Sequence, residues 1–439
     1  MSRTMSPGRG RRHALVLLVI AVALVAAGCG SSSKKAASAT TTSVDPNATY
    51  TLMYITDATG NQGYTTGTNK LFEGAVKAAN ARGGIKGHQI KLVTCDSQSN
   101  NNAAAACGQQ AVTEKAFAVI SFAASGTFFP YVENAKIPVF SEGITKESWA
   151  SPVSFMLANG LIGGSAGYIA LLKQQGCKTV GMIATVAPGS AANIDSLSHS
   201  MELEATALGG IEYKGYIPAP ITAPDLAPYA TQAVDKGYEC VVPLAFGPSS
   251  ISLLNAVSSL VQSGKIKKVG ICTCIITPQV LTAITVPIKK LGDAAVMSLS
   301  MESPQNTTNP AVKQWVADQT TPGETPNLEF QGGMQWAELQ LAIHAASAVY
   351  PDITGPKVLD YVGHLKSYWP GIAPPVDFTK APTNPYGPRV FAAWVAPTAF
   401  TDGSTYDRKG PFLSILTSKT DDNPVPKNCT TWVAGACAP

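Results

Sequence analysis

From about residue 48 onward, apolar runs of strand length alternate with helix-length amphipathic segments along most of the chain. Tyr50–Thr56 (YTLMYIT) reads as a strand. The segment after it places Leu71, Phe72, Ala75, Val76 and Ala79 on one helical face. Gly83-Gly84 ends that helix, because only glycine takes positive φ at little cost. Ile90–Cys95 (IKLVTC) is a second strand, followed by an Ala-rich helix through Val112. Ala116–Ser121 and Ile137–Ser141 are further strands with a short helix between them. Strands separated by helices predict a parallel sheet covered on both faces.

The order then repeats. Helix Ala166–Gln175 leads to strand Thr179–Ala184, helix Ala191–Leu208 and strand Ile211–Tyr216. Helix Leu226–Asp235, strand Glu239–Leu244, helix Ser249–Gln262 and strand Lys267–Cys272 follow. After Leu299 come two more helices, one of them Gln335–Val349, then a Pro-rich stretch Tyr368–Pro388 and a last strand Arg389–Val395. Open α/β sheets receive ligands at the carboxyl ends of their strands, so two such lobes in tandem imply a binding cleft between them.

Composition narrows the function. The 439 residues are 45% hydrophobic but only 14% charged, against about 25% in an average globular chain. The formal charge of +4 lies entirely in Arg3, Arg9, Arg11 and Arg12, and the rest carries 28 basic and 28 acidic side chains. A nucleic-acid binder needs surplus cations, and none are to spare. The apolar run Ala14–Ala27 is 14 residues long, short of the roughly 20 that span a bilayer. With the arginines before it, this run reads as a secretory signal over residues 1–28. Its end, Val25-Ala26-Ala27-Gly28-Cys29, resembles a bacterial lipobox, which implies a lipid on Cys29. Residues 29–47 then read as a flexible tether, and the expected location is the outer face of the bacterial cell membrane.

Export permits disulfides. Beyond Cys29, eight cysteines remain. Cys95 with Cys107 and Cys429 with Cys437 would each close a small loop, and Cys177 and Cys240 each adjoin a strand and could meet at one sheet edge. Cys272 and Cys274 are left either as a tight ring or as free thiols. His88, His199, His344 and His364 are scattered without metal-ligand spacing, so no metal or cofactor is expected. No phosphate loop is present. Gly163-Gly164-Ser165-Ala166-Gly167 matches the GxSxG nucleophile elbow of hydrolases. That elbow needs a strand before it, and Ala158-Asn159-Gly160 breaks one instead. Ser125-Gly126-Thr127 and Gly143-Ile144-Thr145 each follow a strand, offering hydroxyls and backbone N–H groups either to a ligand anion or to a helix as caps.

Asn80-Ala81-Arg82-Gly83-Gly84-Ile85-Lys86-Gly87-His88-Gln89-Ile90-Lys91-Leu92-Val93 resembles the N-x-x-GGI-x-G-x-x-I-x-L-V signature of branched-chain amino-acid-type solute-binding proteins of ABC transporters. The resemblance implies a type I periplasmic-binding fold: α/β, two Rossmann-like parallel-sheet lobes joined by three crossovers. Lobe one would comprise residues 48–157 and 300–366, lobe two 158–299 and 389–439, with 367–388 a connector. It also implies closure on a small ligand and docking on an ABC permease, or, on the same fold, a sensor that signals to a partner.

Site residues implied by the resemblance are Ser125, Gly143 and Thr145 in lobe one, and Phe246 in lobe two. The family's second-lobe tyrosine falls near Gly189–Ala191 and its carboxylate at Thr273 or Cys274, so neither phenol nor acid is kept. A buried ammonium without a charge partner costs several kcal/mol. The expected ligand is therefore a small carboxylate or polar-neutral molecule with an apolar or aromatic body.

Overall fold

Two parallel sheets with the same strand order carry the architecture of the computed structural model. It describes residues 45, 47–59, 66–157, 160–186, 191–245, 248–271, 286–287, 290–299, 301, 308–320, 330–366, 368–373, 375–380, 394–396, 398–400, 406–408, 412–414, 419–421, 429 and 432. The expectations at Cys29, Phe246, Cys272, Thr273, Cys274 and Cys437, with the signal and most of the tether, lie outside these residues.

The first sheet is built from β1 (Thr49–Thr56), β2 (Gln89–Asp96), β3 (Ala118–Phe122), β4 (Val139–Ser141) and β5 (Ser154–Phe155). They run parallel in the order β2-β1-β3-β4-β5. Helices α1 (Thr66–Ala81), α2 (Asn101–Thr113), α3 (Phe129–Asn134) and α4 (Lys146–Ala150) fill the crossovers. After α5 (Gly160–Gln174) the plan recurs with β6 (Thr179–Val186), α6 (Ala191–Leu208), β7 (Glu212–Pro220), α7 (Ala227–Asp235), β8 (Cys240–Leu244), α8 (Pro248–Gln262), β9 (Lys268–Ile271) and β10 (Ala295–Leu299). Its order, β7-β6-β8-β9-β10, copies the first, and β11 (Trp394–Ala396) adds an antiparallel edge beside β10. The two-lobed α/β architecture is the one expected.

Alternation along β1 sends Leu52 and Tyr54 to one face and Met53 and Ile55 to the other. The first pair packs under α1, α9 (Pro310–Gln319), α10 (Phe330–Ala348) and α11 (Gly355–Gly363), with Phe72, Trp315 and Trp336. The second pair packs against Cys107, Ala111 and Phe129 of α2 and α3. Helix ends follow their caps. Asn100 Oδ1 accepts from the N–H groups of Asn102 and Ala103 at 2.8 and 3.2 Å. Asn309, followed by Pro310, accepts from Ala311 N at 2.9 Å.

The GGI stretch explains its own sequence. Ile85 and His88 exchange backbone hydrogen bonds of 2.9 and 3.0 Å, forming a tight turn that buries Ile85. Gly84 has φ +54, and a Cβ there would lie 2.1 Å from the His88 carbonyl oxygen. The Asn80 side chain acts as a short strand, giving Nδ2–H to Ile90 O at 2.9 Å and accepting from Ile90 N at 2.8 Å. Arg82 forks onto buried Asp318, which also accepts from Gln314 Nε2 at 2.7 Å and Trp336 Nε1 at 2.8 Å. The motif thereby fastens α1 to α9 and α10.

Two expected disulfides are formed. Cys95–Cys107 ties β2 to α2, and Cys177–Cys240 joins the residues just before β6 and at the start of β8. β6 and β8 are central neighbours, so the second bridge lies at the amino-terminal end of the sheet rather than at an outer edge strand. Cys429 is also disulfide-bonded.

The carboxyl-terminal third differs from its expected partition. Tyr368, Trp369, Ile372, Ala373 and Phe378 lie in the first lobe's core, so this part of 367–388 is packed structure rather than a bare connector. The span 389–439 divides: β11 pairs with β10 of the second sheet, while Cys429 and Trp432 pack in the first core. Trp432 meets Trp369 edge to face and faces Trp336, which is why the chain returns there.

Candidate functional site at the strand carboxyl ends

In a sheet of order β2-β1-β3-β4-β5 the crossovers reverse direction between β1 and β3, leaving a crevice at their carboxyl ends. Asp57, the residue after β1, organises this crevice. Its carboxylate accepts from Ser97 Oγ, from Ser99 N at 3.0 Å and from Ala124 N at 2.8 Å, joining the ends of three strands. The loop after β3 is fixed further by Ser125. Its hydroxyl donates to Asn101 Oδ1 at 2.8 Å and lies 3.1 Å from Thr127 Oγ1, which bonds to Asn101 O at 2.6 Å. Ser125 caps no helix, since Phe128 stands at the start of α3.

Gly143 and Thr145 follow β4. Gly143 takes φ +64, as its turn requires. Thr145 is the N-cap of α4, its Oγ1 accepting from Ser148 N at 3.3 Å. Ser125, Gly143 and Thr145 thus share the carboxyl edge of the first sheet, at β3 and β4. Of the two, Thr145 caps a helix and Ser125 does not.

Three groups at this edge carry no sequence motif. Glu142, half-buried, follows β4 directly before Gly143. From α10, Glu338 is fully buried, and neither carboxyl oxygen has a hydrogen-bond partner among the described residues. Gln335, one turn earlier, accepts from the Tyr54 hydroxyl at 3.1 Å, and its Nε2 is likewise without a partner there. Burial, then the nearby Glu142 charge, pushes the Glu338 carboxyl well above the ordinary carboxylate range. Burial raises the Tyr54 phenol as well, with both carboxyls contributing.

In the second lobe the equivalent crevice lies between β6 and β8. Thr185, near the end of β6, is buried with its hydroxyl unpartnered among the described residues. Tyr168 of α5 donates to Ile271 O at 3.1 Å at the end of β9. A cavity of about 650 Å³ lined by Arg82, Lys86, Gln340 and Trp432 opens at the opposite, amino-terminal end of the first sheet, away from these crevices. Among the described residues no cluster of His, Cys, Asp or Glu could hold a metal, and no helix is long and apolar enough to cross a membrane. Ser165 is the sixth residue of α5, inside a continuous helix rather than on a strand-to-helix turn, so the hydrolase elbow is not formed.

The sequence profile of the periplasmic binding protein family matches residues 49–395, most of the chain. The chain belongs to the periplasmic binding protein family. Its fold is that of a branched-chain amino acid ABC transporter protein from Thermus thermophilus with bound valine: TM-score 0.66, 16% identity, 84% of this chain and 97% of that one covered. A solute-binding protein from R. palustris in complex with 4-hydroxybenzoate is similar at TM-score 0.65 and 15% identity, over 86% of this chain and 98% of that one. So is the branched-chain amino acid transporter substrate-binding protein of Streptococcus pneumoniae in complex with isoleucine, at TM-score 0.63 and 17% identity, over 83% and 100%. No curated protein sequence matches. The family consists of extracytoplasmic solute-binding receptors and not of enzymes.

Proposed function

We propose that this periplasmic binding protein captures a small organic carboxylate or amino-acid-like molecule between its lobes and delivers it to an ABC permease. The observation that carries the reading is the shared carboxyl edge of β3 and β4. There Asp57 and Asn101 hold the Ser125 loop in place beside the Gly143-Thr145 turn. The Thr145 hydroxyl, whose oxygen accepts from Ser148 N and keeps its own proton to give, suits a carboxylate, while Ser125, its proton spent on Asn101, holds the neighbouring loop. Valine, isoleucine and 4-hydroxybenzoate, held by the similar proteins, each join a carboxylate to an apolar or aromatic body.

Phe246 and Thr273 are assigned to the second wall, and contact with both walls favours the closed form, a population shift rather than chemistry. Cys29 carries the lipid that keeps the receptor on the outer membrane face. A thermal-shift screen of amino acids and aromatic and aliphatic carboxylates tests the reading. At least one compound should raise the wild-type Tm, and Ser125→Ala should weaken its binding about tenfold. A panel that leaves the Tm unmoved would refute it.

A further inference from the structure

The cavity of about 650 Å³ at the amino-terminal end of the first sheet has no part in the cleft. Its size falls in the range of small-molecule sites. The Trp432 indole, Ile343 and Ala348 give it apolar wall, and Arg82 and Lys86 give it cations. No Asp or Glu lines it among the described residues. Buried Asp318 holds the Arg82 guanidinium in place, whereas exposed Lys86 has no ion-pair partner among the described residues. Two further lining groups are left unfinished by the fold. Gln340 and Trp432 are each only 6% exposed, and Gln340 Nε2 and Trp432 Nε1 have no hydrogen-bond partner among the described residues. Both atoms are N–H donors, and donors of this kind ordinarily find an acceptor when buried. The terminal torsion of a glutamine is soft, so the Gln340 amide can turn to an acceptor seated in the cavity. Unmatched donors and an unpaired ammonium on one wall call for an acceptor that carries negative charge.

We propose that this cavity is a second ligand site, separate from the cleft, for a small organic anion: a carboxylate on a flat apolar body. The carboxylate meets Lys86 and Gln340, and the body lies against Trp432, Ile343 and Ala348. These groups all belong to the first lobe or pack in its core, so binding here needs no closure of one lobe on the other. Trp432 comes from the returning tail, so an occupant also pins that tail to the first core.

Benzoate, 2-naphthoate and indole-3-acetate, titrated calorimetrically into the full chain, test the proposal. At least one binds the wild type with a Kd of about 1 mM or tighter, and inorganic phosphate, which lacks the apolar body, binds at least about tenfold more weakly. Lys86→Glu and Gln340→Leu each weaken the bound compound about tenfold or more, while Lys86→Arg retains it. Ser125→Ala, at the opposite end of the sheet, leaves its affinity within about twofold. Lys86 is exposed, so its two variants decide the matter if circular dichroism shows Gln340→Leu unfolded. The proposal is overturned if none of the three compounds binds, if phosphate binds as tightly, or if binding survives Lys86→Glu undiminished. Binding that falls with Ser125→Ala instead places the compound in the cleft and overturns it equally. The receptor reading does not depend on any of these results.

Discussion

Replacing Glu338 by glutamine keeps the shape of the side chain and removes its ability to ionise. In the unfolded chain this carboxyl titrates near the ordinary 4.5, whereas in the fold burial and the Glu142 charge raise it well above that value. Between the two values the folded state holds a proton that the unfolded state has lost. Stability of the wild type therefore falls as pH rises through that window, by at most about 1.4 kcal/mol per pH unit for one proton. Glu338→Gln has no such proton to lose. The two proteins should show parallel stability below the window, with the glutamine variant gaining steadily through it until the folded carboxyl itself ionises. Urea unfolding at a series of pH values, followed by tryptophan fluorescence, reads this difference. Trp315, Trp336 and Trp369 all lie in the same core as Glu338 and report on it directly. A stability difference that stays flat with pH, or that moves in favour of the wild type as pH rises, would mean that Glu338 is ionised in the fold.

Other consequences are equally direct. Asn80→Ala removes both hydrogen bonds to Ile90 and leaves the strand backbone unsatisfied; a loss of about 1–3 kcal/mol in urea titration is expected. Gly181→Ala puts a Cβ 1.9 Å from the Tyr238 ring, an overlap expected to cost about 1–3 kcal/mol and to lower Tm. Replacing Cys177 and Cys240 by alanine together opens a loop of 63 residues, for which chain entropy gives about 4 kcal/mol, readable by denaturation. Cys29→Ala should shift the protein from the membrane fraction to the soluble fraction, and continued membrane retention would argue against lipid at that position.

Much of the scaffold was legible because its causes are local. The β–α alternation came from apolar periodicity, and α6 falls where it was placed, at Ala191–Leu208. The Cys95–Cys107 pair came from proximity along the chain. Elements too short to show a pattern were missed: β5 has two residues, and α4 has five, beginning at the Thr145 cap. β10 went unmarked, although three of its five residues pair with β9. The site was less legible than the scaffold. Glu142 was a lone acid at the end of an apolar run, and nothing nearby gave it a role. Its setting depends on α10, whose Gln335 meets Tyr54 across 281 positions of sequence. The place of Trp432 was hidden for the same reason, since an isolated tryptophan in a tail does not reveal which core it will enter.

That return of the tail has a consequence for the order in which the molecule can be completed. The second lobe is nearly continuous in sequence, from α5 to β10, with the β11 edge added later. The first lobe begins the chain but closes its core with α9, α10, Trp369 and finally Trp432. A chain synthesised from its amino end therefore finishes its second half before its first. Until α9, α10 and α11 arrive, the leading sheet waits with one face covered by α1 alone, a period in which its apolar strands need shelter from other chains.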